Sequence, residues 1–293
     1  MTTVVASIPS PDSGTIDLGP LTIHMYGLML LAAIAACIVV TGIRWVRQGG
    51  DWDLVFRVAV WGVAFGIVGA RAYHVLTSWD EVPDEWWGPF AVWEGGLGVW
   101  GGILLGTLAG AIVVKLARES VTRFMDAVAP GLLLAQGIGR LGNWWNQELF
   151  GKPTDRSWGL EIDIQHRPAK YAGSETFHPT FLYELIYDVA MAGVLIVVGR
   201  LFRIKPPGLF ALYVAIYTFG RFWEELLRVD PAHEWFGLRL NAWVSIVVFV
   251  LAVVAFIWIQ FFRRYTPDER PRGAPITLGP TMAVPKGRVR SGR

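Results

Sequence analysis

Seven stretches of this 293-residue chain are apolar over roughly the 20 residues that a helix needs to cross a lipid bilayer. They are Leu21–Ile43, Leu54–Thr77, Leu97–Leu116, Phe124–Gly139, Phe181–Leu201, Leu209–Leu227 and Ala242–Phe262. Inside a bilayer every peptide group must find a partner in the protein, which leaves helices and closed barrels as the spanning structures. Runs of this length predict helices. The fourth is short and carries Asp126 near its start; without it the count is six. Only 17% of the residues are charged, where soluble domains carry about a quarter. The expected fold class is an all-α integral membrane protein of seven transmembrane helices.

Basic residues sort the connections into two sides. Arg44 and Arg47 follow the first run, Lys115, Arg118 and Arg123 the third, Arg200, Arg203 and Lys205 the fifth, and Arg263 and Arg264 the last. The loop Ser78–Gly96 has no lysine or arginine. The positive-inside rule then makes the basic loops and the C-terminus cytoplasmic, and an odd number of spans puts the N-terminus outside. Trp79, Trp86, Trp87, Trp93, Trp144, Trp145, Trp223, Trp235 and Trp243 fall near expected outer ends, where indole suits the membrane interface. Residues 1–20 form an external segment, 21–262 the membrane domain, and 263–293 a basic tail rich in Pro and Gly that buries no core. The start MTTVVASIPSPDSG has no basic leader before an apolar core, which argues against a cleavable signal peptide.

A net charge of +2, with no basic cluster among aromatics, gives no reason to expect nucleic acid. Cys37 is the sole cysteine and sits in LAAIAACIVV, the setting of a small core residue and a poor nucleophile. Gly98, Gly102, Gly106 and Gly110 recur every four residues, a stripe that lets another helix approach closely. Gly137, Gly139 and Gly142 spell G-x-G-x-x-G, but no strand precedes them, so the dinucleotide reading lacks its context.

Polar groups gather at one expected depth. GRLGNWWNQELFG (139–151) follows the fourth run; Arg221, Glu225 and Arg228 share a helix face in YTFGRFWEELLRVD; Arg71 and His74 end the second run; His24 and Tyr26 begin the first. Charges in membrane segments are costly and mark sites. Guanidinium holds phosphate oxygens in a bidentate fork, and the phosphates abundant at the outer leaflet are lipid headgroups. Asn143, Asn146 and Gln147 add neutral donors and acceptors for a polyol or an extended peptide. Pairing of Arg140 with Glu148, or of Arg221 with Glu225, is the purely structural alternative. A lipid flippase or anion transporter would want polar groups in both leaflets, and a scaffold built on the glycine stripe would leave the cluster without purpose.

GRLGNWWNQELFG resembles the signature of prolipoprotein diacylglyceryl transferases, with Arg140, Gly142, Asn143, Asn146, Glu148 and Gly151 at matching spacing. HPTFLYE (178–184), GRFWEELLR (220–228), GARAYHV and WEGGLG resemble further blocks, and the likeness covers about residues 20–262. The resemblance implies seven transmembrane helices with a small extracytoplasmic head within about 150–178, in the bacterial inner membrane. It implies transfer of the diacylglyceryl group of phosphatidylglycerol to the lipobox cysteine of a prolipoprotein, among membrane lipids, with the product passed to lipoprotein signal peptidase. No cofactor or metal is implied. By position, Arg140 would bind the lipid phosphate and Arg221 would bind or gate the headgroup. Asn143, Asn146, Glu148 and Gly151 would shape the pocket beside Tyr26, with Glu225 orienting Arg221. Arg71, Tyr217, Arg228 and His178 would contact substrate. One departure stands out: Trp100 occupies the place where many members carry a histidine considered as a base. His24 or Tyr26 is then a candidate base, beside deprotonation assisted by arginines and water.

Overall fold

Helices dominate the computed structural model, which describes residues 7–19 and 21–264. A two-stranded antiparallel ribbon, β1 (Thr15–Leu18) and β2 (Leu21–His24), leads into α1 (Met25–Arg47). Then come α2 (Trp52–Thr77), α3 (Val99–Leu116), α4 (Val121–Gly139) and the short α5 (Leu141–Trp145). A small unit follows, built on β3 (Leu160–Glu161) and β4 (Thr176–Phe177). The chain continues through α6 (Thr180–Leu201), α7 (Gly208–Leu227), the hairpin β5 (Glu234–Trp235) and β6 (Leu238–Arg239), and α8 (Leu240–Ile257) with a π-helical last turn.

Five helices, α1, α2, α3, α6 and α8 with its last turn, are long and apolar enough to cross a membrane. Their outer faces carry large exposed apolar side chains such as Leu31, Phe56, Leu104 and Leu251. The helices at the sites of the fourth and sixth runs, α4 and α7, are absent from that set. α7 carries Arg221, Glu224 and Glu225 in its last turns, and α4 contains Pro130 and Asp126. Asp126 does not face lipid: its Oδ1 accepts from the Phe210 N–H at 2.9 Å, so it satisfies one of the orphan donors at the start of α7.

Neighbouring helices run antiparallel. Tyr26 at the start of α1 lies over Gly142 beyond α4, while Arg44 near its end donates to the Ala127 carbonyl near the start of α4. Gly69 and Gly101 cross so closely that a Cβ on Gly101 would stand 2.1 Å from the Gly69 carbonyl oxygen, and Gly102 and Gly106 face Gly66 and Gly62. The glycine stripe is therefore a helix crossing between α2 and α3. Gly220 meets the Tyr187 ring, and Gly199 meets Leu209, which reverses α7 against α6. Alternation leaves the basic connections at one end of the bundle. The starts of α1, α6 and α8 lie at the other, with the ends of α2, α4 and α7.

At that second end the chain is not purely helical. Leu160 pairs with Phe177 across β3 and β4, and Ile8 bridges to Leu160. Phe150, Leu160, Ile162, Phe177 and Phe181 form their own apolar core. The unit is fastened to the bundle by the Lys152 N–H donating to the Leu227 carbonyl at 2.8 Å.

Candidate functional site

α4 stops at Gly139 and the chain turns at Arg140 into α5. The loop after α5 is tight enough to hold Gln147 and Leu149 at positive φ (50° and 58°), a region that non-glycine residues seldom adopt. It is held by Thr180, whose hydroxyl donates to the Leu149 carbonyl at 2.5 Å. The turn brings Glu148 back beneath α5, where its Oε1 accepts from Asn143 at 2.8 Å and from Asn146 at 3.3 Å.

Arg140 does not pair with Glu148. Its Nε lies 2.8 Å from Glu184 Oε2, and its Nη1 is 3.4 Å from Asn143 Oδ1. Glu184 is buried near the start of α6, and Arg221 of α7 approaches the same carboxylate at 3.8 Å. Arg221 also pairs with Glu224 and Glu225 of its own helix. The Glu225 carboxylate is fully buried and further reaches Arg228 at 3.2 Å and Arg239 at 2.7 Å. Asp230 closes the cluster with contacts of 2.7 Å to Arg228 and 2.8 Å to Arg239. Burial pushes the Asp230 carboxyl up, but hydrogen bonds and charge from Arg228 and Arg239 outweigh it and hold the group below its ordinary value. Four arginines and four carboxylates thus compensate one another where apolar helices end.

Between α6 and α7 a cleft of about 190 Å³ opens onto this cluster. Tyr183, Glu184, Tyr187 and Asp188 line it from α6, and Tyr217, Gly220, Arg221, Trp223 and Glu224 from α7. The structure thus gathers Arg140, Arg221, Tyr217, Glu225, Asn143, Asn146 and Glu148 around one end of the bundle, with Tyr26 packed over Gly142. Glu184, Glu224, Asp188, Asp230 and Arg239 belong to the same region and were not among the expected residues. Four-residue spacing of Glu184 and Asp188 inside an apolar run was the available signal.

Other expected contacts lie elsewhere. Arg71 is buried and donates to the carbonyls of Gly88, Pro89, Gly95 and Gly96, at 2.6–3.2 Å. It staples the loop after α2 rather than joining the arginine cluster. Gln147 brackets Asp163, donating at 2.7 Å and accepting its N–H at 2.8 Å, so it fastens the small β unit. Arg228 uses its fork on Asp230. Gly151 is a close approach, where a Cβ would stand 2.8 Å from that of His178. His178 Nδ1 meets the Tyr183 hydroxyl at 3.0 Å, and that hydroxyl accepts from the Trp158 indole at 2.9 Å. Burial, then the charge of Arg156, hold the His178 imidazole below its ordinary range. Trp100 and His24 are exposed, and neither lines the cleft.

Helices with lipid-type outer faces, ending in a compensated arginine cluster beside a cleft, fit a multi-pass membrane protein. The prolipoprotein diacylglyceryl transferase family matches residues 13–258. A phosphatidylglycerol–prolipoprotein diacylglyceryl transferase of Frankia alni is 46% identical over 276 residues, covering 92% of this chain and 71% of that protein. The enzyme of the same name from Cutibacterium acnes is 47% identical over 272 residues, 92% and 91% of the two chains. That of Bifidobacterium adolescentis is 44% identical over 275 residues, 87% and 81%. The chain belongs to the prolipoprotein diacylglyceryl transferase family.

Proposed function

We infer that this protein transfers the diacylglyceryl group of phosphatidylglycerol to the lipobox cysteine thiol of a prolipoprotein, forming a thioether and releasing glycerol phosphate. The observation that carries the reading is the meeting of Arg140 and Arg221 at Glu184, beside a cleft between α6 and α7. Two guanidinium groups, one from the turn after α4 and one from α7, converge there. With this end at the outer leaflet a lipid phosphate would lie within their reach, and bidentate contact suits them to its oxygens. The leaving group is already a phosphate anion, so counter-charge that strengthens as the carbon–oxygen bond breaks is what the step needs. Asn143 and Asn146, held by Glu148, stand at the same end of the bundle as Tyr26, and Tyr217 lines the cleft. Glu225 fixes Arg221.

Seven membrane passes follow if α4 and α7 cross with the five apolar helices, their polar groups being satisfied within the bundle. Basic residues at one end favour a cytoplasmic placement of that end and of the C-terminus. The arginine cluster and the β unit at 150–178 then lie at the outer leaflet of the bacterial inner membrane, and the lipidated product passes to lipoprotein signal peptidase. The expected tail lies outside the described residues beyond 264. Among the described residues the arginine–carboxylate cluster sits at one end of the bundle, whereas a flippase or transporter would call for such charges in both leaflets.

The test is purified protein in phosphatidylglycerol vesicles with a lipobox peptide. Diacylglyceryl thioether and glycerol phosphate should form in equal amounts, and neither should form with a Cys→Ser peptide. Lipid movement without thioether would overturn the reading.

A further inference from the structure

Asp188 lies one helical turn from Glu184, on the same face of α6, and lines the same cleft. It is 1% exposed, and neither carboxylate oxygen has a hydrogen-bond partner. Buried carboxylates are ordinarily paired, and an unpaired one costs stability. Nearby hydroxyls are committed elsewhere: Tyr187 donates to the Ile216 carbonyl at 2.8 Å, and Tyr213 meets Gln136 at 3.2 Å. The charges that act on it are those of Arg140 and Glu224. A Cβ added to Gly137 of α4 would stand 3.0 Å from that of Asp188, so α4 packs closely against this part of α6.

Resting on the transferase reading above, we propose that Asp188 is the catalytic residue that takes the proton from the acceptor thiol. Displacement at the glyceryl carbon requires sulfur to enter opposite the departing phosphate oxygen. Reacting atoms meet at about 3–3.5 Å, so one carbon–oxygen bond more puts the sulfur roughly 5 Å beyond that oxygen. This matches the ~5.4 Å pitch of a helix. A phosphate held by the arginines at the level of Glu184 therefore places the incoming sulfur near the level of Asp188, on the acyl-chain side. The S–H proton passes to the Asp188 carboxylate as the sulfur–carbon bond forms. The carbon–oxygen bond breaks, and its electron pair leaves on glycerol phosphate. Asp188 gives up that proton once the product has left and water enters the opened cleft.

The test compares cysteine and selenocysteine lipobox peptides in phosphatidylglycerol vesicles, using full-length wild type and Asp188→Asn. A selenol ionises without help, whereas a thiol near pKa 8.5 needs a base. Asp188→Asn should lose about 10²–10⁴-fold on the thiol peptide, the range for general-base catalysis, and only a few-fold on the selenol peptide. Equal loss on both peptides, or no loss on the thiol, overturns the proposal. A wild type that makes no thioether from the thiol peptide would instead overturn the transferase reading. Should Asp188→Asn not fold, Asp188→Ala with added formate replaces it. Restored thiol transfer supports the role, and absence of rescue contradicts it.

Discussion

Arg140 Nε and Glu184 Oε2 stand 2.8 Å apart, joining the turn after α4 to the start of α6. The same carboxylate faces Arg221, so it sets the spacing of two arginines that no backbone element connects directly. Glu184→Gln keeps the shape and removes the charge. Turnover should fall about ten- to a hundredfold, the equivalent of one charge-assisted contact of roughly 1.5–3 kcal/mol. Unchanged turnover, measured as thioether formed at matched protein, would mean that the two arginines are positioned by something else.

Glu225 is the pivot for stability. Its buried carboxylate faces Arg221, Arg228 and Arg239, and Glu225→Gln would leave three guanidinium groups around a neutral amide. Removing one partner of a buried ion pair costs about 3–5 kcal/mol. Thermal unfolding in micelles should show that loss, and a second change, Arg239→Gln, should recover part of it. A wild-type melting curve for Glu225→Gln would show that the cluster's charges are not coupled through this residue.

Asp230 gives the cluster a pH dependence. Its carboxyl is held below the ordinary 3.8 by Arg228 and Arg239 despite burial. A depressed carboxylate contributes stability that is fully present above the unfolded value and is lost as pH falls through the folded one. The gap in melting temperature between wild type and Asp230→Asn should be constant at neutral pH and close only in acid below 3.8. A gap that closes on raising the pH instead would reverse the sign and refute the assignment.

The three glycines of G-x-G-x-x-G separate by packing. A Cβ on Gly142 would stand 2.6 Å from the Tyr26 ring and one on Gly137 3.0 Å from that of Asp188, while Gly139 meets nothing within 4 Å. Gly139→Ala should therefore be neutral or stabilise by up to about 1 kcal/mol. Gly142→Ala should displace Tyr26 and reduce activity. Denaturation and transfer assays on both variants settle the contrast, and equal effects would contradict it.

Periodicity and length revealed the apolar helices, and the four-residue glycine spacing was readable because close crossing needs small residues at that repeat. Partnership was not readable. Arg71 and Arg140 look alike in sequence, each at the end of an apolar run, yet one is consumed by the carbonyls of its own loop and the other by a carboxylate on α6. Which occurs depends on the path of the loop Ser78–Gly96, which propensities do not determine. Gln147 was expected to face substrate, but the positive φ there turns it onto Asp163. Asp126 counted against the fourth run as a span because one of its partners, the Phe210 N–H, lies 84 residues away.

In the proposed reaction Arg140 acts as a phosphate fork and not as a mere structural cation. Arg140→Lys, assayed for thioether formation in phosphatidylglycerol vesicles at matched protein level, tests it most directly. Lysine keeps the charge opposite Glu184 but cannot grip two phosphate oxygens in one plane. Turnover should drop about ten- to a hundredfold while the protein still folds and inserts. Near wild-type turnover by Arg140→Lys would contradict the account.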